Sequence, residues 1–471
     1  MNKFYITTAI PYVNAKPHIG HALEFVQADV VARYHRILGD QTILLSGSDE
    51  NALKNVQAAE SAKVPVQELV DRNAVLFQDL AKRLNVDFDV FQKGSSKDHY
   101  KASQKLWELC KHNIYKKKYT GLYCIGCEQF YTKDELDKNG ECFEHPGKKL
   151  DEVSEENYFF KLSNYQNDLK KLIENNTIKI VPENRKKEVL AFLDGGLEDI
   201  SISRSNERAK NWGVPVPNDN TQRIYVWFDA LNIYQSGVGF GSDEKEYKKW
   251  WPADVHVIGK GILRFHAIYW PAFLLSAGLE LPKTIFVHEY ITINGQKMSK
   301  TLGNVIDPVQ LIDKYGADAL RYYFLAKVSP FQDGDFSEKK FIEAYNADLA
   351  NGLGNLVARV AKLCQKNNIS FPQVPFNLYS FSSKYFEQFE FNRILDSIWA
   401  KISLVDGAIT KEEIWKRNAK EAKVFLNDYV KDIRQIAFNL KPFLPETAEK
   451  IEEQFKGPKI KSGKPLFPRI V

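Results

Sequence analysis

Four residues of metal-binding type, Cys124, Cys127, Cys142 and His145, break into a chain that on either side alternates strand-like and helix-like segments. No other feature restricts the fold as much, because it makes the middle of the sequence an insertion rather than a continuation. Ahead of it, an apolar β-type run at residues 4–8 passes through a polar turn into a helical stretch at 17–38, which Gly39 ends; residues 42–45 then read as strand and 50–60 as helix. Behind it, strand signals return at 224–228, 255–258 and 285–293. Alternation of this kind predicts an α/β domain on a parallel sheet. The polar, turn-rich region 115–214 predicts an insertion within that domain. From Ser337 onward strand patterns nearly vanish, and amphipathic helical stretches at 338–366, 384–404, 414–440 and 446–455 predict a C-terminal helical bundle.

The four ligands form two chelating pairs, each with two intervening residues, separated by a short polar loop. Three thiolates and one imidazole in that spacing suit a tetrahedral zinc ion. With every position filled by protein, such a metal is structural, one per chain. Cys110 and Cys364 stand alone and read as core. The N-terminus lacks the apolar run and cleavage site of a secretory signal and the Arg- and Ser-rich character of a transit peptide, and no window approaches a membrane span. A cytoplasmic protein with reduced cysteines is expected. A net charge of +5 is too small to identify a polyanion partner, so lysine clusters such as 116–118 read first as solvated surface. A length of 471 residues exceeds what one core usually organises.

Two motifs carry chemistry. His18-Ile19-Gly20-His21 opens the first helix directly after a strand and turn. Histidines three apart share a helix face, a helix N-terminus favours phosphate, and Gly20 admits a base or ribose close to the backbone. Far along the chain, Lys297-Met298-Ser299-Lys300-Thr301 follows a strand and an Asn294-Gly295 turn, where two lysines can place point charges on polyphosphate oxygens. Taken singly, the first pair could equally be surface histidines and the second a basic loop. Together and in this order they resemble the HIGH and KMSKS signatures of class I aminoacyl-tRNA synthetases, with Thr301 where that family usually has Ser.

The resemblance implies an ATP-dependent ligase on a Rossmann-type catalytic domain, divided as 1–114 and 215–336 around a zinc-knuckle connective insertion at 115–214, and followed by a helical anticodon-binding domain at 337–471. An amino-acid carboxylate is already ionised and can attack the α-phosphate directly, so catalysis rests on positioning and charge stabilisation. It assigns His18, Gly20 and His21 to the α-phosphate and adenine side, and Lys297 and Lys300 to the leaving pyrophosphate, with Glu24 and Gly259 on the nucleotide. Mg²⁺ accompanies the ATP.

Within the class, the resemblance to the methionyl-tRNA synthetase family runs from Phe4 to about Ala326. It is carried by residues 9–14, 156–160, 201–204 and 225–230 together with the knuckle, and it is weaker over the helical C-terminus. It places a methionine pocket on Ile10, Tyr12, Trp227, Ala230, Tyr234, Phe265 and His266, an α-amino partner at Asp49 and a nearby basic group at Arg204. Aromatic edges and small apolar residues suit an unbranched thioether. The chain departs from the pattern at Asn51 and Ala52, where His and Gly are common, and at Gly261, where many members carry a ribose-binding Asp. Asn355, Arg359 and Trp415 match the anticodon-reading positions, stacking and hydrogen bonding being how single-stranded loops are read; Asp406, Ala408 and Ile414 depart from the surrounding pattern. The implied partners are L-methionine, ATP and methionine tRNA, initiator included, acting on a monomer without a membrane. The competing readings are a class I enzyme for cysteine, leucine, isoleucine or valine, and a non-catalytic paralogue.

Overall fold

A computed structural model describes residues 2–131, 135–144, 147–298, 304–372 and 383–471. The chain divides into two compact units. One comprises Met1–Pro17, His35–Lys82 and Asp87–His288; the other comprises His18–Tyr34, Arg83–Val86 and Glu289–Val471.

The first unit is built on a six-stranded sheet ordered Val90–Lys93, Gln41–Ser48, Lys3–Thr7, Val255–Gly259, Thr284–His288, Lys179–Val181. Every neighbouring pair is parallel. Lys3–Thr7 is the pivot, with Gln41–Ser48 and Val90–Lys93 following outward on one side and Val255–Gly259 and Thr284–His288 on the other, the arrangement in which open α/β sheets place ligands at the strands' carboxyl ends; Lys179–Val181, from the insertion, adds the outer edge. Its strands read as apolar runs because both faces are covered: Tyr5, Ile6, Leu44, Leu45, Val257, Ile258, Ile285 and Phe286 are all buried. The insertion forms a second, antiparallel sheet in which Ile114–Cys124 pairs over its length with Asp151–Phe160, flanked by Gln129–Tyr131 and Ile200–Ser201.

The second unit contains most of the helix Ile19–Ile37, a small sheet of Ile291–Ile293, Gln296–Lys297 and Gly334–Phe336, and the C-terminal helices. Ser337 caps the first of these, its side chain accepting from the Lys340 N–H at 3.3 Å. Arg321, fully buried, ties the unit together. Its Nε and Nη2 donate to the carbonyls of Phe443 and Pro442 at 2.7 and 2.8 Å and its Nη1 to Leu84 at 3.1 Å, while Nη2 pairs with Asp29 Oδ2 at 2.7 Å.

Three expectations need correction. Residues 226–230 are helix, not the continuation of a strand, since a short apolar run cannot be assigned by periodicity alone. The stretch 285–293 is two strands in different sheets, interrupted at Glu289-Tyr290. The helix expected from 414 starts at Ala419, capped by Asn418, with only a short turn at Ile414–Lys416 before it.

Candidate functional site

The residues to which the resemblance assigns an amino-acid pocket lie in the first unit. Trp227 enters from the helix Val226–Ala230, which also buries Ala230, and its ring stacks on Phe265 at 3.7 Å and 5°. Tyr12 meets Trp227 edge-on at 6.3 Å and Ile10 is half-buried. Phe265 and His266 lie in a wide helical turn, Phe265–Tyr269. There His266 Nδ1 is 2.9 Å from the Ile262 carbonyl and so carries the proton, leaving Nε2 to accept from the Tyr234 hydroxyl at 2.8 Å. Burial holds His266 down at about 4, so its ring is neutral. Gly259 closes the strand Val255–Gly259.

Asp49 is aligned with this wall by its backbone, which accepts Asn55 Nδ2 at 2.9 Å and donates to the Pro11 carbonyl at 2.9 Å. Its carboxyl is sealed from solvent. Burial first, then the charges of Asp229 and Glu128, hold it well above the ordinary carboxylate range. Among the described residues, Asp49 Oδ1, Tyr12 Oη and Arg204 Nη2 are buried without a hydrogen-bond partner. A carboxylate oxygen, a hydroxyl and a guanidinium nitrogen without partners are exceptions to the usual pairing of buried polar groups.

The knuckle brings three sulfur atoms together. Cys142 Sγ is 3.2 Å from that of Cys124 and 3.7 Å from that of Cys127, and all three lie within 4.8 Å of one another. His145 lies outside the described residues. Convergence of three thiols, two of them buried, fits a thiolate-rich tetrahedral zinc site.

In the second unit, the His18 and His21 rings face each other at 3.9 Å. The His18 N–H donates to His21 Nδ1 and the Gly20 N–H to His18 Nδ1, each at 3.1 Å, so in both neutral rings Nε2 carries the proton and is a donor. A Cβ on Gly20 would stand 2.9 Å from His18 Cε1, so any other residue there would have to push the His18 ring aside. The same position is 3.6 Å from the Met298 methyl, so the two phosphate motifs meet. Glu24 is buried one turn beyond His21. Lys297 ends the hairpin strand opposite Thr292; Lys300 lies outside the described residues. The hairpin's Gly295 N–H donates to Asp335 Oδ1 at 2.7 Å, and Lys340 pairs with Asp335 Oδ2 at 2.8 Å.

On the bundle, Asn355 is exposed at the start of Asn355–Lys366. One turn on, the Arg359 guanidinium sits 5.2 Å from the Trp415 ring and pairs with Asp406 at 2.8 Å. Trp415 is 39% exposed, more than a core tryptophan would be.

Sequence reasoning missed two buried acids. Asp229 belongs to the 225–230 block, and its carboxylate takes His99 Nε2 at 2.9 Å, Ser103 Oγ at 2.6 Å and Asn51 Nδ2 at 2.6 Å. The unusual Asn51 is thus a donor to it. Glu128 directly follows Cys127, a position that could have drawn notice, and is fully buried.

A pivoted parallel sheet, a histidine motif at a helix start and a lysine hairpin define the class, and the family model of class I tRNA synthetases (M) matches residues 4–361. A methionine-tRNA ligase of Rhizobium meliloti (strain 1021) is 38% identical over 99% of this chain and 98% of its own length. One from Thermotoga maritima is 39% identical over 95% and 74%. The solved Mycobacterium tuberculosis methionyl-tRNA synthetase in complex with methionyl-adenylate superimposes with a TM-score of 0.92 at 35% identity over 100% of both chains. Its free-state form gives 0.85 at 32% identity over 100% and 99%. The chain belongs to the methionine-tRNA ligase family of class I tRNA synthetases. Among the described residues no helix is long and apolar enough to cross a membrane.

Proposed function

We propose that this chain joins L-methionine to methionine tRNA, initiator included, through methionyl-adenylate, with the following division of labour. Asp49 pairs with the α-ammonium group of methionine, and Ile10, Tyr12, Trp227, Ala230, Tyr234, Phe265 and His266 enclose its thioether. The carboxylate attacks the α-phosphorus of ATP and the bond to the β-phosphate oxygen breaks. His18 and His21 donate from Nε2 to the phosphate oxygens as charge builds, while Lys297 and Lys300 neutralise the departing pyrophosphate. Glu24, Gly20 and Gly259 accommodate the nucleoside. Mg²⁺ supplies further charge neutralisation when bound with ATP. Cys124, Cys127, Cys142 and His145 hold one zinc, which clamps the knuckle when bound. Asn355, Arg359 and Trp415 read the anticodon. The protein works as a cytoplasmic monomer, with the insertion entered at residue 115, one strand of it, Lys179–Val181, returned to the catalytic sheet, and the helical domain entered at 337.

The observation that carries this reading is the set of buried atoms without a hydrogen-bond partner among the described residues, Asp49 Oδ1, Tyr12 Oη and Arg204 Nη2, with the Tyr12 ring edge-on to the Trp227 that stacks on Phe265. A carboxylate oxygen, a hydroxyl and one guanidinium nitrogen buried with their hydrogen bonding unfinished are costly unless a zwitterion completes them. ATP–pyrophosphate exchange measured with each amino acid tests it: methionine alone should support rapid exchange. Faster exchange with cysteine, leucine, isoleucine or valine would overturn the pocket assignment.

A further inference from the structure

The turn that carries the metal ligands also faces the pocket. Three consecutive carbonyls, those of Gly126, Cys127 and Glu128, each accept a hydrogen bond. Their donors are Lys54 Nζ at 2.9 Å, Trp227 Nε1 at 3.1 Å and the Tyr225 hydroxyl. Each donor belongs to the pocket's frame. Trp227 is its stacked wall, and Tyr225 precedes the helix that bears Trp227. The Lys54 ammonium lies 3.4 Å from the centre of the Tyr12 ring, a cation–π contact that fixes that ring's face.

Glu128 closes the turn and is itself an anchor. Its φ of 55° is the left-handed conformation that a residue with a Cβ rarely adopts, kept here because its neighbours over-determine it. Its Oε2 accepts from Arg204 Nη1 at 3.0 Å and from the Tyr123 hydroxyl at 2.5 Å, and its Oε1 lies 3.3 Å from the Lys54 N–H. Arg204 therefore presents its remaining Nη2 from a fixed position. We infer that Glu128 is a positioning residue for methionine recognition: through one carboxylate and one carbonyl it sets Arg204, Tyr225 and, by way of Lys54, Tyr12. The inference deepens the pocket reading above and rests on it.

The test compares Glu128→Gln with Tyr225→Phe. Equilibrium dialysis of methionine without ATP is run beside pyrophosphate exchange, and zinc content is measured in every preparation. Glu128→Gln keeps the shape but loses the charge that holds Arg204, so the methionine Kd and KM should rise about tenfold, the worth of a charged hydrogen bond. ATP KM and kcat should change by less than about twofold and zinc should stay at the wild-type level. Tyr225→Phe, which removes one hydroxyl, should raise the methionine Kd by about threefold and serves if Glu128→Gln does not fold. Unchanged methionine affinity in the variant that folds overturns the inference. So does weaker affinity that comes with loss of zinc, because Glu128 would then serve only the knuckle. Asp49→Asn separates the two readings: if it also leaves methionine affinity intact, the pocket itself is misassigned.

Discussion

Asp49 and Asp229 are both sealed inside the same unit, 3% and 1% exposed, yet they are equipped in opposite ways. Asp229 receives three donors, from His99, Ser103 and Asn51, so that both of its carboxylate oxygens are engaged within the fold. Asp49 keeps Oδ1 open among the described residues, and its own neighbourhood, with Asp229 and Glu128 close by, opposes its charge. A buried carboxylate with a full complement of donors holds a fold together. One left incomplete pays in stability for readiness to bind a cation.

The strongest way to break this contrast is Asp229→Ala. It strands three buried donors at roughly 1–3 kcal/mol each, so urea unfolding should show a loss of about 3–5 kcal/mol. A loss below about 1 kcal/mol would mean that Asp229 is no keystone. Asp49→Asn should do the reverse. Methionine affinity should fall ten- to a hundredfold, from about 1.5–3 kcal/mol for a charged hydrogen bond, while the unfolding midpoint holds or rises. If the melting temperature drops instead, Asp49 is a structural residue.

The pH dependence sharpens the same point. Asp49's folded-state pKa is raised, so its contribution to stability is complete below the unfolded pKa and is lost as pH rises through the folded one. The methionine-free protein should therefore lose stability with rising pH across that window, and methionine should bind more tightly there as the carboxylate ionises. Asp49→Asn should flatten both curves; urea titrations and dialysis at stepped pH decide it.

Trp415→Ala supplies the control that leaves both aspartates alone. Loss of one stacked base costs about 1–3 kcal/mol, which should appear in aminoacylation of methionine tRNA but not in tRNA-free exchange. A parallel fall in exchange would make Trp415 a folding residue. The smallest effect belongs to Asn51→Ala, which removes one of Asp229's donors. It should cost about 1 kcal/mol of stability, with little change in methionine affinity, by the same two assays.

How much of this was written in the sequence depends on distance along the chain. The strand pivot, the helix that follows it, the cysteine pairs and the two phosphate motifs are local patterns, and the structure has the strands and the first helix within a few residues of where periodicity put them. Asp229 and Glu128 stayed hidden because their meaning comes from partners 130 and 76 residues away. Nothing in an apolar Val226-Trp227-Phe228 run says that it turns helical and lays its indole against Phe265. The departure at Asn51 was visible, but only Asp229 opposite it explains what an amide does there.

The pivot strand has a consequence for biogenesis. Ile6 pairs with Val255, and the Tyr5 N–H donates to Asp254 across 249 residues of sequence. That strand must therefore wait, with one edge unsatisfied, until the 249 residues that separate Tyr5 from Asp254 have been made. Closure of so long a loop is slow and leaves that edge open to wrong pairing. The insertion's antiparallel ladder, closed between Ile114–Cys124 and Asp151–Phe160, can form during that wait. During synthesis, then, the knuckle can be complete before the sheet it interrupts has a centre.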